Sequence, residues 1–337
     1  MDCAVIPEVG KLEIGRKPMP TVADDGILVR VRLCGVCGTD LQILAGRFSV
    51  PLPYSPGHEI VGEVAGVGDR VDGVRIGDRI AVDPNYSCGT CFHCSGGRPN
   101  HCLNRRSAGL KSNGGFAEYC AVPRSIVHPL PSGLGWREGV IVEPLSCALH
   151  AVDVAGIIPG EAVVLLGCGT MGLLSLLLVK LRGARPIIAS DPVPMKRELA
   201  TRFGADITWD PARGSVSAAV LEATRHGAAA VIDNVGVERT IEDGVRSLRP
   251  GGTLVLAGID SDARQIPVSP IGVTEREIRI QGVFLNPGTF AAALELLREI
   301  GPVCAGLVTH EFPLAEVARA FEAARTGDAV KVVVGIG

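Results

Sequence analysis

The first third of the chain alternates apolar and polar residues with the period of a β-strand. The clearest case is GILVRVRLCG at 26–35, where aliphatic residues alternate with arginines, as on a half-buried sheet. Similar patterns predict strands at 60–68 (IVGEVAGVG) and 113–123 (NGGFAEYCAVP). Glycines recur between these strands, which is typical of sharp bends and bulges. This region is therefore predicted to form a small, bent, mostly β domain resembling a barrel.

Helical periodicity enters the same region at two places. The segment CGVCGTDLQILAG at 34–46 predicts a short helix, which Thr39 or Asp40 could cap. A second helical pattern begins near Arg137 and continues through VEPLSCALHAVDVAG, to residue 156. Both helices lie next to residues with metal-binding chemistry.

From Glu161 to about Gly282, aliphatic strands alternate with amphipathic helices. The predicted strands are AVVLLG, PIIASD, AAVIDNVG, TLVLAG and REIRIQGVF, and the predicted helices cover 171–182, 194–203, 217–226 and 238–248. Strands separated by single helices pair in parallel through right-handed crossovers. The fold class is therefore α/β, with a doubly wound parallel sheet of the Rossmann type beside the mostly β domain.

The C-terminal segment predicts two more helices, at 289–299 and 314–326, and a closing strand, VKVVVGI. We expect this segment to return to the first domain. The predicted organisation is a first domain of residues 1–148 completed by 285–337, and a second domain of residues 149–284. Two domains also suit a chain of 337 residues, because single cores seldom grow beyond ~250–300 residues.

Charge and composition exclude several classes of function. The chain has 33 basic and 36 acidic residues, a formal charge of −3, so no basic field attracts nucleic acid or anionic lipid. The apolar run 162–179 reaches the lower limit for a membrane span, but three glycines divide it into a strand, a turn and a helix. Eleven cysteines, an odd number, and an N-terminus without signal-peptide features favour the reducing cytoplasm. Small-molecule partners are expected.

Four of those cysteines crowd into one loop. Cys88, Cys91, Cys94 and Cys102 are spaced by three, three and eight residues, and four thiolates complete a tetrahedral zinc shell. Disulfides or free redox cysteines are the alternatives, but this spacing in an intracellular protein points to metal. A shell without an open position is structural, so the chemistry must lie elsewhere.

The sequence GCGTMG at 167–172 fits the dinucleotide-binding fingerprint and stands between a predicted strand and a predicted helix. Its first glycine permits the tight turn, its second lets the backbone approach a pyrophosphate, and its third lets helix pack on strand. The next strand ends in Asp191, nineteen residues after Gly172, where an acidic side chain binds the adenosine ribose. Like-charge repulsion there disfavours a 2′-phosphate, so NAD is preferred to NADP, although Lys196 and Arg197 keep NADP open.

Outside the cysteine loop, Cys37, His58, Glu59 and Glu143 are the residues best placed to bind metal, since each lies at an element boundary. A catalytic zinc uses about three protein ligands and keeps a fourth position open. Each residue alone could be a buried cysteine or a satisfied turn histidine. Together, beside a nucleotide-binding fold, they predict a catalytic zinc.

The motifs CGVCGTD, PGHEIVGEVAGVGDRV, the cysteine loop, EPLSCALHA and VVLLGCGTMG together resemble the zinc-dependent medium-chain alcohol dehydrogenases, over nearly the entire chain. The glutamate of EPLSCALHA is more similar to the polyol (sorbitol-type) and threonine dehydrogenase branch than to the branch with a third cysteine. The resemblance implies a GroES-like catalytic domain and a Rossmann domain. It also implies two zinc ions per chain, one catalytic and one structural, NAD as cofactor, and a homodimer or homotetramer.

The resemblance also implies a role for individual residues. Cys37 and His58 match catalytic zinc ligands, and either Glu59 or Glu143 completes the shell. Thr39 matches the hydroxyl that takes the proton of the substrate alcohol, and Asp40 matches a residue that orients a ligand. The expected cofactor contacts, including the fingerprint, are Gly167, Gly169, Thr170, Met171, Gly172, Asp191, Lys196, Gly258, Ile259 and Phe284.

Gln42 departs from the family pattern, which often has a histidine at this position to pass the proton to solvent. An amide cannot titrate near neutral pH as imidazole does. A relay from Thr39 would instead end in water, the ribose hydroxyls or Glu59.

The resulting interpretation is a zinc- and NAD-dependent dehydrogenase of a secondary alcohol, a polyol or related polar alcohol. Gln42, Arg47 and Asn286 are polar groups that favour such a substrate. The alternatives are an L-threonine-type 3-dehydrogenase and a non-catalytic protein that binds zinc and NAD(H).

Overall fold

The computed structural model describes residues 1–109, 114–258 and 269–337. The chain forms two compact units, Met1–Ser146 with Asn286–Gly337, and Cys147–Leu285. The strands are β1 Asp2–Val5, β2 Glu13–Arg16, β3 Gly26–Val36, β4 Glu59–Val67, β5 Arg79–Val82, β6 Asn85–Tyr86, β7 Arg106–Ser107, β8 Tyr119–Pro123, β9 Val127–Pro129, β10 Val163–Leu166, β11 Ile187–Ser190, β12 Ile207–Trp209, β13 Ala228–Asp233, β14 Leu248–Leu256, β15 Arg279–Gly282, β16 Val308–Pro313 and β17 Lys331–Gly335. The helices are α1 Gly38–Leu44, α2 Phe92–Ser95, α3 Trp136–Gly139, α4 Val142–Ala155, α5 Thr170–Leu181, α6 Pro194–Phe203, α7 Val216–Thr224, α8 Glu238–Ser247, α9 Pro270–Arg276, α10 Phe290–Ala305 and α11 Val317–Arg325. No helix within the described ranges is long and apolar enough to span a bilayer.

The unit Cys147–Leu285 is built on a six-stranded sheet in the order β12-β11-β10-β13-β14-β15, with every neighbouring pair parallel. The strand order reverses between β10 and β13. In doubly wound sheets this reversal marks the place where ligands bind, beyond the carboxyl ends of the strands. The predicted doubly wound sheet is confirmed. The prediction omitted β12 and α9, which are too short for a clear periodic signal.

Continuous aliphatic strands form the core of this sheet. The four residues of β10, VVLL, and the first three of β11, IIA, are all buried, as expected for parallel strands covered on both faces. Val164, Ile188, Val231 and Leu254 meet in one apolar cluster. The core thereby fixes the carboxyl end of β10, where the glycine turn begins.

The first unit contains a seven-stranded sheet in the order β16-β17-β3-β4-β5-β9, with β8 also paired to β3. The long strand β3 shares one edge between two partners, since Gly26–Arg30 pair with β8 and Leu33–Val36 pair with β17. Its other edge pairs with β4. The closing strand β17 therefore lies in the sheet of the first unit.

Two predictions in this unit were wrong in detail, and one strand was missed. Helix α1 begins after Cys37, and neither Thr39 nor Asp40 is the cap, although the Asp40 carboxylate accepts a hydrogen bond from the Cys37 amide. Helix α10 continues to Ala305 instead of ending at 299, because Pro302 is accommodated inside the helix. Strand β16 was not predicted, because its exposed VTHEFP sequence lacks an apolar face.

Candidate active site

The four loop cysteines converge as the sequence predicted they could. Their sulfur atoms all lie within 4.8 Å of one another. Cys91 Sγ lies 3.5 Å from Cys94 Sγ, and Cys88 Sγ lies 3.5 Å from Cys102 Sγ. These separations are far longer than a disulfide bond of about 2.05 Å. They approach the ~3.8 Å edge of a tetrahedron with sulfur about 2.3 Å from zinc. The four thiols therefore fit a zinc ion.

Backbone amides of this loop donate hydrogen bonds to its cysteine sulfurs. The amides of Thr90 and Cys91 donate to the sulfur of Cys88, and they lower the pKa of this thiol to about 5. The amides of Cys88 and Asn104 each lie 3.3 Å from Cys102 Sγ. Thiolates, not thiols, bind metal, so amide donation favours the ligating form.

The second group consists of Cys37, His58 and Glu59, with one ligand atom from each within 4.8 Å of the others. The pairing of β3 with β4 explains this arrangement, because Gly35 stands opposite Glu59 in the antiparallel register. Cys37 follows β3 and His58 precedes β4, so the two side chains meet at the same sheet end. A thiolate, an imidazole and a carboxylate form a donor set suited to a zinc ion with an open position.

Asp40 links two of these ligands. Its Oδ2 accepts a hydrogen bond of 2.9 Å from the Cys37 amide, and its Oδ1 lies 3.6 Å from His58 Nδ1. His58 therefore turns Nδ1 towards Asp40, which leaves Nε2 as its ligand atom. Burial lowers the pKa of His58, but the negative charges of Asp40 and Cys37 raise it to well above its usual value. A proton and a metal ion therefore compete for this imidazole.

Lys331 is the residue of this site that the sequence analysis missed. Its buried ammonium group lies 2.6 and 2.7 Å from the two carboxylate oxygens of Glu59 and donates to the Val36 carbonyl at 3.2 Å. Burial lowers the pKa of Lys331, but the charges of Glu59 and Cys37 outweigh burial and raise it above the usual value. The signal in the sequence was a lysine within the aliphatic strand VKVVVGI, where a charge needs a partner.

Glu143 lies in the first turn of α4, buried, and does not belong to the group of ligand atoms formed by Cys37, His58 and Glu59. Burial raises its pKa to about 7, with His58 and Lys331 opposing and Glu59 reinforcing the shift. The Thr39 hydroxyl lies 3.7 Å from Cys37 Sγ, on the same turn of α1. The structure thus brings Glu59 and Thr39 close to the ligands, while Glu143 is buried within the electrostatic reach of His58, Glu59 and Lys331.

Asn286 does not have the role that the sequence suggested. It is buried, and its Nδ2 donates to Asp83 Oδ1 at 3.1 Å and to Ser146 Oγ at 3.0 Å. Its Oδ1 accepts from Asn85 Nδ2 at 3.1 Å. With three hydrogen bonds to protein groups, this amide ties together three segments of the first unit instead of facing a substrate.

In the second unit the fingerprint has the geometry that its glycines predict. Gly167 has φ +86°, and a side chain on Gly172 would place its Cβ 1.8 Å from the Gly167 carbonyl oxygen. Gly169 precedes the first residue of α5, and Gly258 contacts the backbone of Val235 so closely that a Cβ would lie 2.4 Å from its nitrogen. Only glycine fits at positions 172 and 258, whereas a Cβ on Gly169 would meet no other atom of the protein. The helix N-terminus offers free amides to an anion such as a pyrophosphate.

Asp191 is held rigidly beside this turn. Its two carboxylate oxygens accept hydrogen bonds of 2.8 Å from the amides of Cys168 and Val193. The neighbouring Arg197 donates to the Asp191 carbonyl at 2.6 Å and pairs with Asp210 at 3.1 Å. One of the two cations that kept NADP open is therefore engaged by protein oxygens.

For the remaining expected cofactor contacts, the structure gives the position in the fold. Thr170 and Met171 occupy the first turn of α5, and Lys196 lies in α6. Phe284 follows β15 and is about one-third exposed, at 38%. Ile259 lies outside the described residues.

Comparison with known families gives two matches. Residues 23–132 match the family described as "Alcohol dehydrogenase GroES-like domain", and residues 170–299 match "Zinc-binding dehydrogenase".

Individual relatives cover almost the entire chain. D-arabinitol dehydrogenase 1 of Uromyces fabae is 33% identical over 94% of this chain and 91% of its own length. Sorbitol dehydrogenase of Halalkalibacterium halodurans is 32% identical over 96% of this chain and 95% of its own. Among solved structures, a zinc-binding dehydrogenase of Sinorhizobium meliloti 1021 bound to NADP superimposes with a TM-score of 0.93, at 35% identity, over 99% of this chain and 98% of that one. An alcohol dehydrogenase of E. coli CFT073 in complex with NADH gives a TM-score of 0.93 at 27% identity, covering 100% of this chain and 99% of that one.

Proposed function

Because this chain belongs to the family of zinc-dependent medium-chain alcohol and polyol dehydrogenases, we propose that it oxidises a secondary hydroxyl group of a polyol to the ketone and transfers the hydride to NAD. The observation that carries the proposal is the convergence of Cys37, His58 and Glu59 on one point at the end of β3 and β4. Cys88, Cys91, Cys94 and Cys102 would hold the structural zinc.

Cys37, His58 and Glu59 would hold the catalytic zinc, and we propose that Glu143 stands behind them. When bound, zinc supplies a Lewis acid that lowers the pKa of the substrate hydroxyl. The cysteine thiolate and the carboxylate carry two formal negative charges, and Lys331 offsets one of them by pairing with Glu59. The three proposed ligands and Lys331 together carry a net formal charge of −1, and the Asp40 carboxylate adds a further negative charge beside His58.

The Thr39 hydroxyl is the group that would take the proton from the substrate, since it lies beside Cys37 on the first turn of α1. Asp40 fixes the Cys37 backbone and faces His58, so it orients two ligands at once. Gln42 cannot carry the proton further. The proton would leave through water, a cofactor ribose hydroxyl or Glu59.

NAD supplies the hydride acceptor, and the fingerprint would bind its pyrophosphate at the N-terminus of α5. Asp191, fixed by two backbone amides, presents a negative charge where the adenosine ribose binds in such folds. This supports NAD over NADP, although one structural relative was solved with NADP.

The substrate class follows from the relatives named after D-arabinitol and sorbitol. The threonine-type alternative gains no support from them. The non-catalytic alternative is disfavoured because Thr39 adjoins the metal-binding group, where a protein that only binds metal needs no hydroxyl. We further propose a cytoplasmic homodimer or homotetramer. Light scattering coupled to size-exclusion chromatography would measure its mass.

The test of the proposal is NADH formation at 340 nm from a panel of polyols, simple secondary alcohols, cyclitols and L-threonine. We expect a polyol such as D-arabinitol or D-sorbitol to give the highest kcat/KM with NAD. Turnover of L-threonine alone would replace the proposal with the threonine-type reaction. Stoichiometric NADH binding without turnover of any substrate would favour the non-catalytic alternative.

A further inference from the structure

Among the described residues, three buried polar atoms at or near the candidate ligand His58 lack a hydrogen-bond partner. In the part of the chain that the structure describes, Asp40 Oδ1, His58 Nδ1 and Tyr54 Oη have no hydrogen-bond partner. Their residues are 0%, 4% and 5% exposed. An unpartnered buried polar atom costs about 1–3 kcal/mol, so three of them beside one site require a physical explanation.

The Asp40 and His58 atoms face each other, and the Tyr54 phenol lies close enough to feel the charge of Asp40. Asp40 Oδ1 lies 3.6 Å from His58 Nδ1, which is too long for a direct hydrogen bond. Tyr54 packs in an apolar cluster with Ile43, which lies three residues after Asp40 on the same face of α1. Backbone hydrogen bonds of 2.7 and 3.0 Å between Ile6 and Tyr54 hold the tyrosine in this position. The tyrosine is thereby held in a cluster with Ile43, on the helix that carries Asp40.

The hydrogen-bonding capacities of the three groups are complementary. The Asp40 carboxylate only accepts, and His58 Nδ1 donates when Nε2 is the ligand atom, while the tyrosine hydroxyl can do either. A single water molecule could accept from His58 and Tyr54 and donate to Asp40. Buried waters typically make about three such bonds to otherwise unsatisfied groups.

We propose that one buried water molecule joins Tyr54 Oη, Asp40 Oδ1 and His58 Nδ1, and that Tyr54 is a positioning residue for the metal-binding imidazole. The Asp40 carboxylate is then fixed at both oxygens, by the Cys37 amide at Oδ2 and by the water at Oδ1. The inference rests on the proposed zinc site and extends its supporting groups from Asp40 to Tyr54. Burial and the charge of Asp40 also raise the pKa of Tyr54, so the phenol keeps its proton.

A purely structural role of Tyr54 predicts a change in stability of the opposite sign for Tyr54→Phe. If Tyr54 served only as an apolar core residue, its hydroxyl would be a buried, unsatisfied group, and Tyr54→Phe would stabilise the protein. If the water network exists, the same substitution removes one of the three partners of the water. It should then destabilise the protein and weaken zinc binding. The sign of the change in stability therefore separates the two roles.

The experiment compares Tyr54→Phe with Tyr119→Phe, a matched change on β8 away from the ligands. The readouts are the melting temperature and the release of zinc from the purified holoprotein to a chelator, followed by absorbance. Loss of an outer partner of a zinc-binding histidine typically costs 10–100-fold in affinity, so we expect about tenfold faster release of one of the two zinc ions in Tyr54→Phe. The second, tetrathiolate zinc and both ions of Tyr119→Phe should leave at the wild-type rate.

A double variant and a crystal structure make the test decisive. In Asp40→Asn/Tyr54→Phe, zinc release should be no faster than in Asp40→Asn alone, since both changes break one network. A high-resolution crystal structure of the holoprotein should show a water within about 3.2 Å of all three atoms. Wild-type zinc release together with a raised melting temperature in Tyr54→Phe would overturn the inference, as would a crystal structure without that water. None of these readouts uses an alcohol, so a failed substrate screen would leave them valid, and their failure would leave the proposed reaction standing.

Discussion

At the scale of single residues, the site depends on how buried charges are paired. Glu59 and Lys331 are both almost fully buried and meet through two short contacts. Breaking a buried pair by removing one partner leaves an uncompensated charge, which is far more costly than losing an exposed ion pair. Lys331 therefore controls both the stability of the first unit and the charge of a candidate zinc ligand.

Replacing Lys331 with methionine should lower the free energy of unfolding by about 3–5 kcal/mol, because Glu59 loses its counter-charge. Lys331→Arg should retain most of the stability, and Lys331→Met/Glu59→Gln should recover part of it. Urea denaturation of the three variants, with zinc content measured alongside, tests this prediction. Equal stability of Lys331→Met and wild type would contradict the pairing seen here.

Thr39 offers a test of the chemical step. Thr39→Val keeps the shape of the side chain but removes the hydroxyl next to Cys37, so we expect kcat to fall roughly 100-fold, within the range for a lost acid–base group. Thr39→Ser should remain within about tenfold of wild type for the same reason. Both variants should keep their zinc. A Thr39→Val enzyme with normal kcat would remove Thr39 from the proton path.

The candidate ligands could be predicted from the sequence because residue type and motif indicate which thiolates, imidazoles and carboxylates can bind metal. The residues that stabilise or orient these ligands could not be predicted from the sequence. Lys331 lies 272 residues from Glu59, and only the pairing of β17 with β3 brings them together. Tyr54 gave no signal at all, since a tyrosine beside a turn is ordinary until its hydroxyl proves to be buried.

At the scale of elements, Asn286 joins the end of β5, the strand β6 and the N-terminal half of α4 through Asp83, Asn85 and Ser146. The same network reaches Arg105, three residues after Cys102, through contacts of 3.3 Å to Asn85 and 2.8 Å to Ser107. It thus links the base of the cysteine loop to the helix that carries Glu143. Sequence patterns find such elements, but not the side-chain network between them.

Asp83 in this network predicts a pH dependence. Burial raises the pKa of Asp83 to about 6, against the opposing hydrogen bonds from Asn286 and Asn85. Because the folded-state pKa lies above the unfolded value of 3.8, the folded protein binds this proton more tightly. The resulting stabilisation is complete below about pH 4 and is lost as the pH rises through about 6.

Asp83→Asn cannot ionise and keeps an oxygen for both donors. Its stability relative to wild type should therefore increase from pH 4 to pH 7, by at most about 3 kcal/mol. Melting temperatures of both proteins across this range measure the difference, with the exposed Asp69→Asn as control. A difference that does not change with pH would contradict the raised pKa.

Element prediction succeeded where the apolar pattern was clear, as in the alternation of β3, the continuous aliphatic run of β10 and the helical period of α6. It failed where local rules conflict with tertiary packing. Helix α10 continues through Gly301 and Pro302, and Gly301 lies so close to Leu134 that an added Cβ would be 3.1 Å from the leucine side chain. The edge strand β16 is largely exposed and is defined by its parallel pairing with β17. A local sequence pattern does not indicate such long-range strand pairing.

At the scale of the whole molecule, each unit supplies one part of the reaction. The first unit presents the metal-binding groups, and the second presents the glycine turn with Asp191. The resemblance of the sequence to a family covered nearly the entire chain and so predicted both folds. The preference for NAD or NADP, in contrast, depends on single charges such as that of Asp191.

Asp191→Asn tests that preference. The amide oxygen keeps one of the two backbone donors and loses the other, and the substitution removes the charge that repels a 2′-phosphate. We expect the ratio of kcat/KM for NAD to that for NADP to fall about tenfold, or ~1.4 kcal/mol. Steady-state kinetics with both cofactors measures this ratio. A wild-type enzyme that prefers NADP would contradict the assigned role of Asp191.

The most direct measurement of the central claim is polyol-dependent NADH formation before and after selective zinc removal. Partial chelation should remove one zinc ion per chain and abolish turnover while the fold, followed by circular dichroism, persists. Adding one equivalent of zinc should restore the rate in the wild type but not in Cys37→Ser. Undiminished turnover after loss of that zinc, or full activity in Cys37→Ser, would contradict the account.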